Sequence, residues 1–271
     1  MKQRLVSAAI GILLLIILLF FYNTWIFNLV IGLLAALGIH ELMLAAKYTQ
    51  RKLLTALSLT IGFLVPICIG WNFEFIKMLI LFYVMLLFAL YIGQHEHIRF
   101  ETMCSACFFT MVISFSMSTF IVMRDATVDA PYLYVILGLG SAWIPDAGAY
   151  FTGRFFGKHP MAPRISPKKT VEGLIGGLLS GIIFYFAYSY GYAAVLGWEI
   201  SFNNGNLLIL GIVTSVAGVI GDLVASLIKR QCGIKDFGTI IPGHGGILDR
   251  FDSVLFAYPT FVILLHYLPI Y

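Results

Sequence analysis

Long apolar segments alternate with short polar ones along the whole chain. Each apolar segment approaches the roughly 20 residues that a helix needs to cross the hydrocarbon core of a bilayer. The segments lie near 5–22, 25–46, 53–70, 74–92, 103–123, 131–151, 172–192, 206–228 and 252–269. This pattern predicts an all-α fold: a polytopic integral membrane bundle of about nine transmembrane helices.

The amino-acid composition excludes a soluble domain. Hydrophobic residues make up 60% of the chain and charged residues only 11%, whereas soluble domains average about 45–50% and about 25%. The net charge of +4 is spread over short loops, so it indicates no nucleic-acid partner. Membrane lipids are the expected surroundings. The four cysteines predict neither a disulfide framework nor a metal centre, because their spacing fits neither.

The first apolar segment resembles a secretory signal, because Lys2 and Arg4 precede it. It is longer than the roughly 7–15 residues of a signal core. Residues 22–25 also offer no small-residue cleavage site. We therefore predict that this segment is retained as a transmembrane helix.

Basic residues fall almost entirely on one side when the N-terminus is placed in the cytoplasm. Of all lysines and arginines, only Arg124 then lies outside, and Lys77 lies within an apolar segment. Basic loops of membrane proteins favour the cytoplasmic side. The sequence therefore predicts a cytoplasmic N-terminus, cytoplasmic loops at 152–171 and 229–250, and Tyr271 on the outer side.

The polar residues are distributed unevenly, which divides the chain into two regions of one bundle. Residues 1–123 form an N-terminal region of hydrophobic helices, and residues 124–271 form a C-terminal region with the charged cytoplasmic loops. His40 and Glu41 are exceptions in the first region, near the end of the second apolar segment. We favour pairing of Glu41 near the membrane interface over a contact with the charged loops, because it lies near a helix end.

Asp146 lies late in an apolar segment, and a group of charges follows it. A carboxylate at such a position is costly unless it binds a cation. Thr170 and Glu172 suit the first turn of the next helix, where acceptors and negative charge are favoured. The loop between the segment with Asp146 and this next helix either binds substrate phosphates or is a connector that holds anionic lipid head groups. Its basic residues are Arg154, Lys158, Arg164, Lys168 and Lys169.

Four polar residues near the end of the eighth segment share one face of a helix. Ser226 follows Asp222 by four positions, and Lys229 and Arg230 follow it by seven and eight. A stripe of carboxylate, hydroxyl and two cations suits a metal-bound polyphosphate. Alternatively, Asp222 pairs with a buried base and the two cations only fix the topology. We favour the first interpretation, because a carboxylate about two turns deep is costly.

A glycine-rich loop precedes the ninth segment. Gly243, Gly245 and Gly246 allow its backbone to fold around phosphate oxygens and to present N–H groups to them. This arrangement would suit an anionic, phosphate-bearing substrate.

Two carboxylates follow at the start of the ninth segment. Asp249, Asp252 and Ser253 have the spacing i, i+3 and i+4, which predicts one shared helical face. Mg²⁺ is typically held by one or two carboxylates together with substrate phosphates. The spacing therefore indicates shared coordination of a hard cation.

The polar residues from 226 to 252 follow a recognisable order. Ser-x-x-Lys-Arg is followed by Lys-Asp, then Pro-Gly-His-Gly-Gly, then Asp-Arg-x-Asp. This order resembles the signature of phosphatidate cytidylyltransferases (CDP-diacylglycerol synthases). The resemblance implies a nucleotidyltransferase of phospholipid biosynthesis, which converts CTP and phosphatidic acid to CDP-diacylglycerol and pyrophosphate. It also implies Mg²⁺ as cofactor, with a second cation left open.

The resemblance further implies roles for individual residues. Those implied for catalysis are Asp249, Asp222, Lys229, Arg230 and His244. Those implied for metal binding are Asp222, Asp249, Asp252 and Asp146. Those implied for substrate binding are Lys169, Ser226, Lys235, Asp236, Gly243, Gly245, Gly246, Arg250, Arg154 and Lys168. The expected location is a bacterial-type inner (plasma) membrane with the active site facing the cytoplasm, and a homodimer is left open.

Two alternatives remain open at this point. The first is another CTP-dependent membrane lipid enzyme, either polyprenol kinase-like or an archaeal-type CDP-lipid synthase. The second is a membrane transporter of an anionic substrate. Transporter sites lie near the bilayer midplane at broken helices, whereas the charges of this chain gather at one face, which favours the enzyme.

Overall fold

The computed structural model describes residues 2–70, 73–127, 130–243 and 245–271. Within these ranges the chain forms ten helices and one two-stranded sheet. In chain order the elements are α1 (Lys2–Phe20), α2 (Trp25–Ala45), α3 (Lys52–Cys68), α4 (Phe73–Gly93), α5 (Phe100–Ala126), α6 (Pro131–Phe156), β1 (Pro160–Ala162), β2 (Ser166–Thr170), α7 (Val171–Leu196), α8 (Asn204–Gln231), α9 (Leu248–Phe251) and α10 (Val254–Tyr267).

The helices confirm an all-α, polytopic membrane protein. Every predicted apolar segment corresponds to one long helix, while α9 is an additional helix of only 4 residues. Among the described residues, 5 helices are long and apolar enough to cross a membrane, and three further apolar helices are shorter. The five lie in α2, α4, α5, α7 and α8.

The loop after the sixth segment differs from the prediction in two ways. Helix α6 continues to Phe156, so Arg154 lies in its last turn and not in a loop. The residues that follow form an antiparallel hairpin, in which Pro160 pairs with Thr170 and Ala162 with Ser166. The sequence did not predict these strands, because Ser-Pro-Lys-Lys-Thr lacks the apolar alternation by which strands are identified.

The chain packs as two compact units. The first unit comprises residues 1–126 and 232–250, and the second comprises 127–231 and 251–271. This division places the glycine-rich loop with the N-terminal helices. The predicted boundary at residue 123 was based on where polar residues lie along the chain. The packing of the helices does not test it, so it stays a prediction.

The first unit is centred on α3, which packs against α2, α4 and α5. Helices α2 and α3 approach closely at Gly32, where a Cβ would lie 2.7 Å from the carbonyl oxygen of Phe63. Small residues allow such close approach between transmembrane helices. Polar side chains within this unit bond to each other, as Ser58 does to the Tyr83 hydroxyl at 3.1 Å.

The second unit depends on a glycine face of α7. A Cβ at Gly173 would lie 2.8 Å from the carbonyl oxygen of Ala149, and one at Gly177 would lie 2.9 Å from that of Pro145. Both partners are in α6, so the two helices pack with almost no side chain between them. The Thr170 hydroxyl accepts the Gly173 N–H at 3.1 Å, which confirms the predicted N-cap and positions the hairpin beside α6 and α7.

Aromatic residues cluster at the end of the second unit that is far from the hairpin. Tyr271 packs against Tyr134 and Phe202, with ring centroids 6.1 and 6.2 Å apart. The Asn203 N–H, just before α8, donates to the Ile270 carbonyl at 2.8 Å. The C-terminus therefore lies beside the start of α8. Helix α8 has 28 residues, so its charged end is about 40 Å away at 1.5 Å per residue.

Candidate active site

Asp222 is the centre of a polar contact between α8 and the hairpin. Lys169 of β2 places its Nζ 2.5 Å from Asp222 Oδ2, and their side chains are only 24% and 26% exposed. Ser226, one turn further along α8, donates its hydroxyl to Asp222 Oδ1 at 3.3 Å. Both oxygens of this carboxylate thus have partners from the predicted site. The one-face prediction for Asp222 and Ser226 is confirmed.

A second pair of a lysine and a carboxylate lies where α10 begins. Lys229 Nζ is 3.8 Å from Asp252 Oδ2, and these side chains are still less exposed, at 11% and 13%. Ser253 donates its hydroxyl to Asp146 Oδ2 at 2.7 Å, which joins the turn before α10 to α6. Asp252 also experiences the charges of Asp222 and Asp146. Asp222 and Asp146 therefore both lie within electrostatic reach of Asp252.

These residues of the second unit form what we call the α8 cluster. It contains three carboxylates, two lysines and two hydroxyls, supplied by α6, β2, α8 and the turn before α10. Its members are Asp146, Lys169, Asp222, Ser226, Lys229, Asp252 and Ser253. Carboxylate oxygens are the ligands that Mg²⁺ prefers, and lysines suit phosphate oxygens. The donor chemistry of the cluster therefore fits the implied cation and a phosphorylated substrate.

The cation would need ligands from the substrate as well. Across the ranges that the structure describes, no group of three or more His, Cys, Asp or Glu side chains is arranged to hold a metal ion. Mg²⁺ sites that act on nucleotides typically combine one or two carboxylates with phosphate oxygens. The separation of the carboxylates by lysines agrees with such a shared site.

Three other predicted basic residues lie on α8, on α6 and on the hairpin. Arg230 donates its Nε–H to the Ile165 carbonyl at 3.4 Å, which links the end of α8 to the turn of the hairpin. Arg154 donates to the Tyr150 hydroxyl at 2.8 Å, one turn earlier on α6. Lys168 is exposed on β2. All three residues are exposed.

The first unit holds the rest of the signature, in a loop whose backbone N–H groups are bound by two carboxylates. We call residues 237–249 the signature loop. Asp249 is only 6% exposed, and its Oδ2 accepts the N–H groups of Phe237 at 2.8 Å and Gly246 at 3.0 Å. Asp249 therefore joins the two ends of the loop. A carboxylate has acceptor capacity beyond these two bonds, so its predicted role as a metal ligand stays a prediction.

Glu41 of α2 supplies the second carboxylate that contacts the signature loop. The favoured interpretation, that Glu41 pairs near the membrane interface, was wrong. Its side chain does not turn to the membrane interface: the residue is 1% exposed. Oε1 accepts the Ile247 N–H at 2.9 Å, and Oε2 accepts the Leu248 N–H at 2.8 Å. The signal available in the sequence was an acidic residue in an otherwise apolar helix, a position that is costly unless it has a specific partner.

The glycines of the loop have the backbone freedom that was expected, with a different use of one N–H group. Gly243 and Gly245 have φ values of 77° and 83°, a region that favours glycine. The N–H of Gly246, however, is bonded to Asp249 in this structure. Binding of substrate phosphate by the three glycines stays a prediction.

The predicted shared face of Asp249, Asp252 and Ser253 is wrong. Helix α9 ends at Phe251 and α10 begins at Val254, so these residues do not lie on one continuous helix. Asp249 contacts the signature loop within the first unit, while Asp252 and Ser253 contact α8 and α6 within the second. The spacing was helical, but the chain turns between the two helices, and Asp249 accepts N–H groups of the signature loop.

The remaining predicted residues are at the surface or outside the described ranges. Lys235, Asp236 and Arg250 are exposed. His244 lies outside the described residues. Burial raises the pKa of the Cys232 thiol, which opposes formation of a reactive thiolate.

Fold and site together define an integral membrane protein with a carboxylate and lysine cluster suited to phosphate chemistry. The model of the cytidylyltransferase family matches residues 2–268. The chain belongs to this family. It is 33% identical to a phosphatidate cytidylyltransferase of Staphylococcus haemolyticus, over 98% of this chain and 99% of that protein.

Two further relatives match locally and more strongly. Phosphatidate cytidylyltransferases of Staphylococcus saprophyticus and Staphylococcus aureus are 46% and 45% identical over 134 residues. These matches cover 49% of this chain and 48% of each relative. Membership of an enzyme family leaves the transporter alternative without support.

Proposed function

We propose that this chain is a phosphatidate cytidylyltransferase, which transfers the cytidylyl group of CTP to phosphatidic acid. The observation that carries the proposal is the α8 cluster: partly buried carboxylates, two of them paired with lysines, in a membrane protein. The relatives named for this activity support it, one of them over nearly the whole chain. The products are CDP-diacylglycerol and pyrophosphate, as in phospholipid biosynthesis.

The reaction is an in-line displacement at phosphorus. An oxygen of the lipid phosphate attacks the α-phosphorus of CTP, a new O–P bond forms, and the bond between the α-phosphorus and the bridging oxygen breaks. Pyrophosphate leaves with that oxygen. A phosphomonoester has a second pKa of about 6, so the nucleophile is already deprotonated at neutral pH. The site therefore needs positioning and charge neutralisation more than a general base.

The lysines of the α8 cluster supply positive charge for these phosphates. Lys169 and Lys229 are each held against a carboxylate, which fixes the position of their Nζ atoms before substrate arrives. Ser226 and Ser253 orient Asp222 and Asp146 by hydrogen bonds. The preorganised charges then need little rearrangement as negative charge develops on the pyrophosphate leaving group.

One or two of the carboxylates Asp146, Asp222 and Asp252 would hold Mg²⁺ within the second unit, together with phosphate oxygens of the substrate. A metal-binding role for Asp249, in the first unit, is proposed separately from its place in the signature. Bound in the second unit, the cation would neutralise charge on the phosphoryl oxygens. The hard-oxygen donor set supports this assignment. The α8 cluster comes from one chain, so the proposal requires no second copy, and a homodimer stays open.

We further propose that the site faces the cytoplasm, where CTP is available. The distribution of basic residues supports this orientation. Phosphatidic acid would approach within the membrane, with its phosphate at the level of the charged end of α8. The exposed Arg230 and Lys168 lie near that level, at the end of α8 and on the hairpin.

Two radioactive labels test the reaction. Purified protein is incubated with Mg²⁺, phosphatidic acid and CTP labelled at either the α- or the γ-phosphate. We expect the α-label to enter the lipid phase and the γ-label to remain in water as pyrophosphate. Polyprenol replaces phosphatidic acid in a parallel reaction. Transfer of the γ-label to polyprenol would indicate a kinase and would overturn the proposal, as would α-label that stays in water with phosphatidic acid.

A further inference from the structure

Glu41 binds the backbone of the signature loop from a helix that contributes no residue to the signature. Its two oxygens accept N–H groups from consecutive residues, Ile247 at 2.9 Å and Leu248 at 2.8 Å. The preceding N–H, of Gly246, goes to Asp249. We propose that Glu41 is a positioning residue, which fixes the signature loop and thereby sets the place of Asp249 for the reaction.

The geometry requires a carboxylate at this position. Three successive N–H groups, from residues 246 to 248, all point to carboxylate oxygens of the chain itself. Glu41 uses one oxygen for each of its two donors. A glutamine offers one oxygen and one NH₂ group. Its oxygen can accept one of the two backbone N–H groups, but its NH₂ group is itself a donor and cannot accept the other. A buried N–H group without an acceptor destabilises the folded state, because it has lost its hydrogen bond to water and gains none from the protein.

Two glycines shape the space around the Glu41 carboxylate. A Cβ at Gly246 would lie 2.5 Å from Glu41 Cδ, and one at Gly238 would lie 2.8 Å from the same atom. Neither glycine has a positive φ, so their small size is required by the contact and not by the backbone. The loop is therefore built around the carboxylate from both sides. An added methyl group at Gly238 should displace the carboxylate without removing its charge.

The burial of Glu41 argues against a role that is only incidental. Its residue exposure is 1% in a helix long and apolar enough to span a membrane. Isolated carboxylates in such helices are costly and are retained where they have a specific partner. The partner here is the loop that carries Asp249, whose own carboxylate joins the same stretch of backbone at Phe237 and Gly246.

The effect on turnover rests on the proposed function, while the effect on the loop does not. A displacement of about 1 Å in a catalytic group can cost roughly 100-fold in rate. We expect Glu41→Gln to lower kcat for CDP-lipid formation by about 10- to 100-fold. The KM for CTP should change by less than about 3-fold, because Glu41 touches the loop backbone and not the nucleotide.

Hydrogen–deuterium exchange of the purified protein tests the contact directly. In Glu41→Gln we expect the amides of Ile247 and Leu248 to exchange at least about 10-fold faster, since hydrogen bonds to a charged group are lost. Gly238→Ala should give the same change with the carboxylate retained. The matched controls are Glu101→Gln, an exposed acid of the first unit, and Gly93→Ala, where a Cβ meets nothing within 4 Å.

The outcomes separate the two proposals. Unchanged exchange of the loop in both Glu41→Gln and Gly238→Ala would overturn the role of Glu41. So would an equal loss of protection throughout α2 and α5, since that shows a general structural role. If Glu41→Gln does not fold, the Gly238→Ala variant decides. If the unaltered protein forms no CDP-lipid, the proposed function fails, while the exchange comparison still decides whether Glu41 holds the loop.

Discussion

Asp249 combines a structural contact with a predicted chemical role, and the two can be separated by one substitution. Asparagine keeps an oxygen that can accept from Phe237 and Gly246, but it removes the negative charge. We expect Asp249→Asn to insert and fold while losing at least about 100-fold in turnover, the scale of removing one preorganised electrostatic group. Turnover is measured as CDP-lipid formation, with size-exclusion chromatography as the check on folding.

The opposite result would also be informative about Asp249. Near-normal turnover of Asp249→Asn at ordinary Mg²⁺ would confine this residue to holding the loop. The metal assignment would then rest on Asp146, Asp222 and Asp252, which contact Ser253, Lys169 and Lys229 within the second unit.

Arg230 tests whether a basic residue at a helix end acts on substrate or only on topology. Its Nε–H donates to the Ile165 carbonyl, and a planar guanidinium is suited to bidentate phosphate binding. We expect Arg230→Ala to lower CDP-lipid formation at least about 10-fold and Arg230→Lys to recover it only in part. Arg99, paired with Glu101 at the surface, supplies the control Arg99→Ala, which should retain activity. Full recovery with lysine would assign Arg230 to topology alone.

The hairpin presents two adjacent lysines to different surroundings. Neighbouring residues of a strand point to opposite sides, and accordingly Lys169 pairs with Asp222 while Lys168 is exposed. We expect Lys169→Ala to reduce CDP-lipid formation by at least about 10-fold, since it removes the positively charged partner of the Asp222 carboxylate. Lys168→Ala should cost clearly less, because an exposed lysine is readily replaced by solvent. Both variants are compared at matched expression in the same membranes.

Equal losses from the two lysine variants would contradict this assignment. The hairpin would then act as one basic surface, and the contact between Lys169 and Asp222 would have no special part in turnover. A third variant, Asp222→Asn, distinguishes the pair from its members: combined with Lys169→Ala it should cost less than the sum of both single losses, because the two groups act together.

Elements with a strong periodic or spacing signal were predictable from the sequence. The apolar segments identified every long helix, since burial in lipid requires continuous apolar length. The Thr170 cap and the one-face contact of Asp222 with Ser226 are confirmed because they depend only on local geometry. The extension of α6 to Phe156 was missed, because a helix can continue beyond its apolar part until a residue such as Gly157 ends it.

Contacts between distant parts of the chain were not predictable. Glu41 and Ile247 are 206 positions apart, and no local pattern connects an acid in α2 with N–H groups at the start of α9. The break between α9 and α10 has the same origin, since Asp249 bonds to the loop and Asp252 to α8. The signature identified which residues matter, while the partners of each depended on tertiary packing that spacing alone does not encode.

At the scale of the whole molecule, charge and aromatic residues mark different membrane levels. In the second unit, α8 has Lys229 and Arg230 in its last turn, and its first residues lie beside Tyr271 and other aromatic rings. Aromatic residues are enriched at both membrane interfaces, and basic residues favour the cytoplasmic one. These two ends of α8 therefore agree with a helix that crosses the bilayer, with its charged end inside.

This arrangement predicts the sides on which two particular positions lie. A cysteine at position 168, on the hairpin, should be labelled only from the cytoplasmic side, and one at position 271 only from the outside. The native residues Cys68, Cys104, Cys107 and Cys232 are first replaced, with CDP-lipid formation as the check that the protein is intact. A membrane-impermeant maleimide is then applied to intact cells and to inverted vesicles. Labelling of both positions from the same side would contradict the crossing of α8 and with it the cytoplasmic site, because the C-terminus lies beside the start of that helix and the hairpin beside its end.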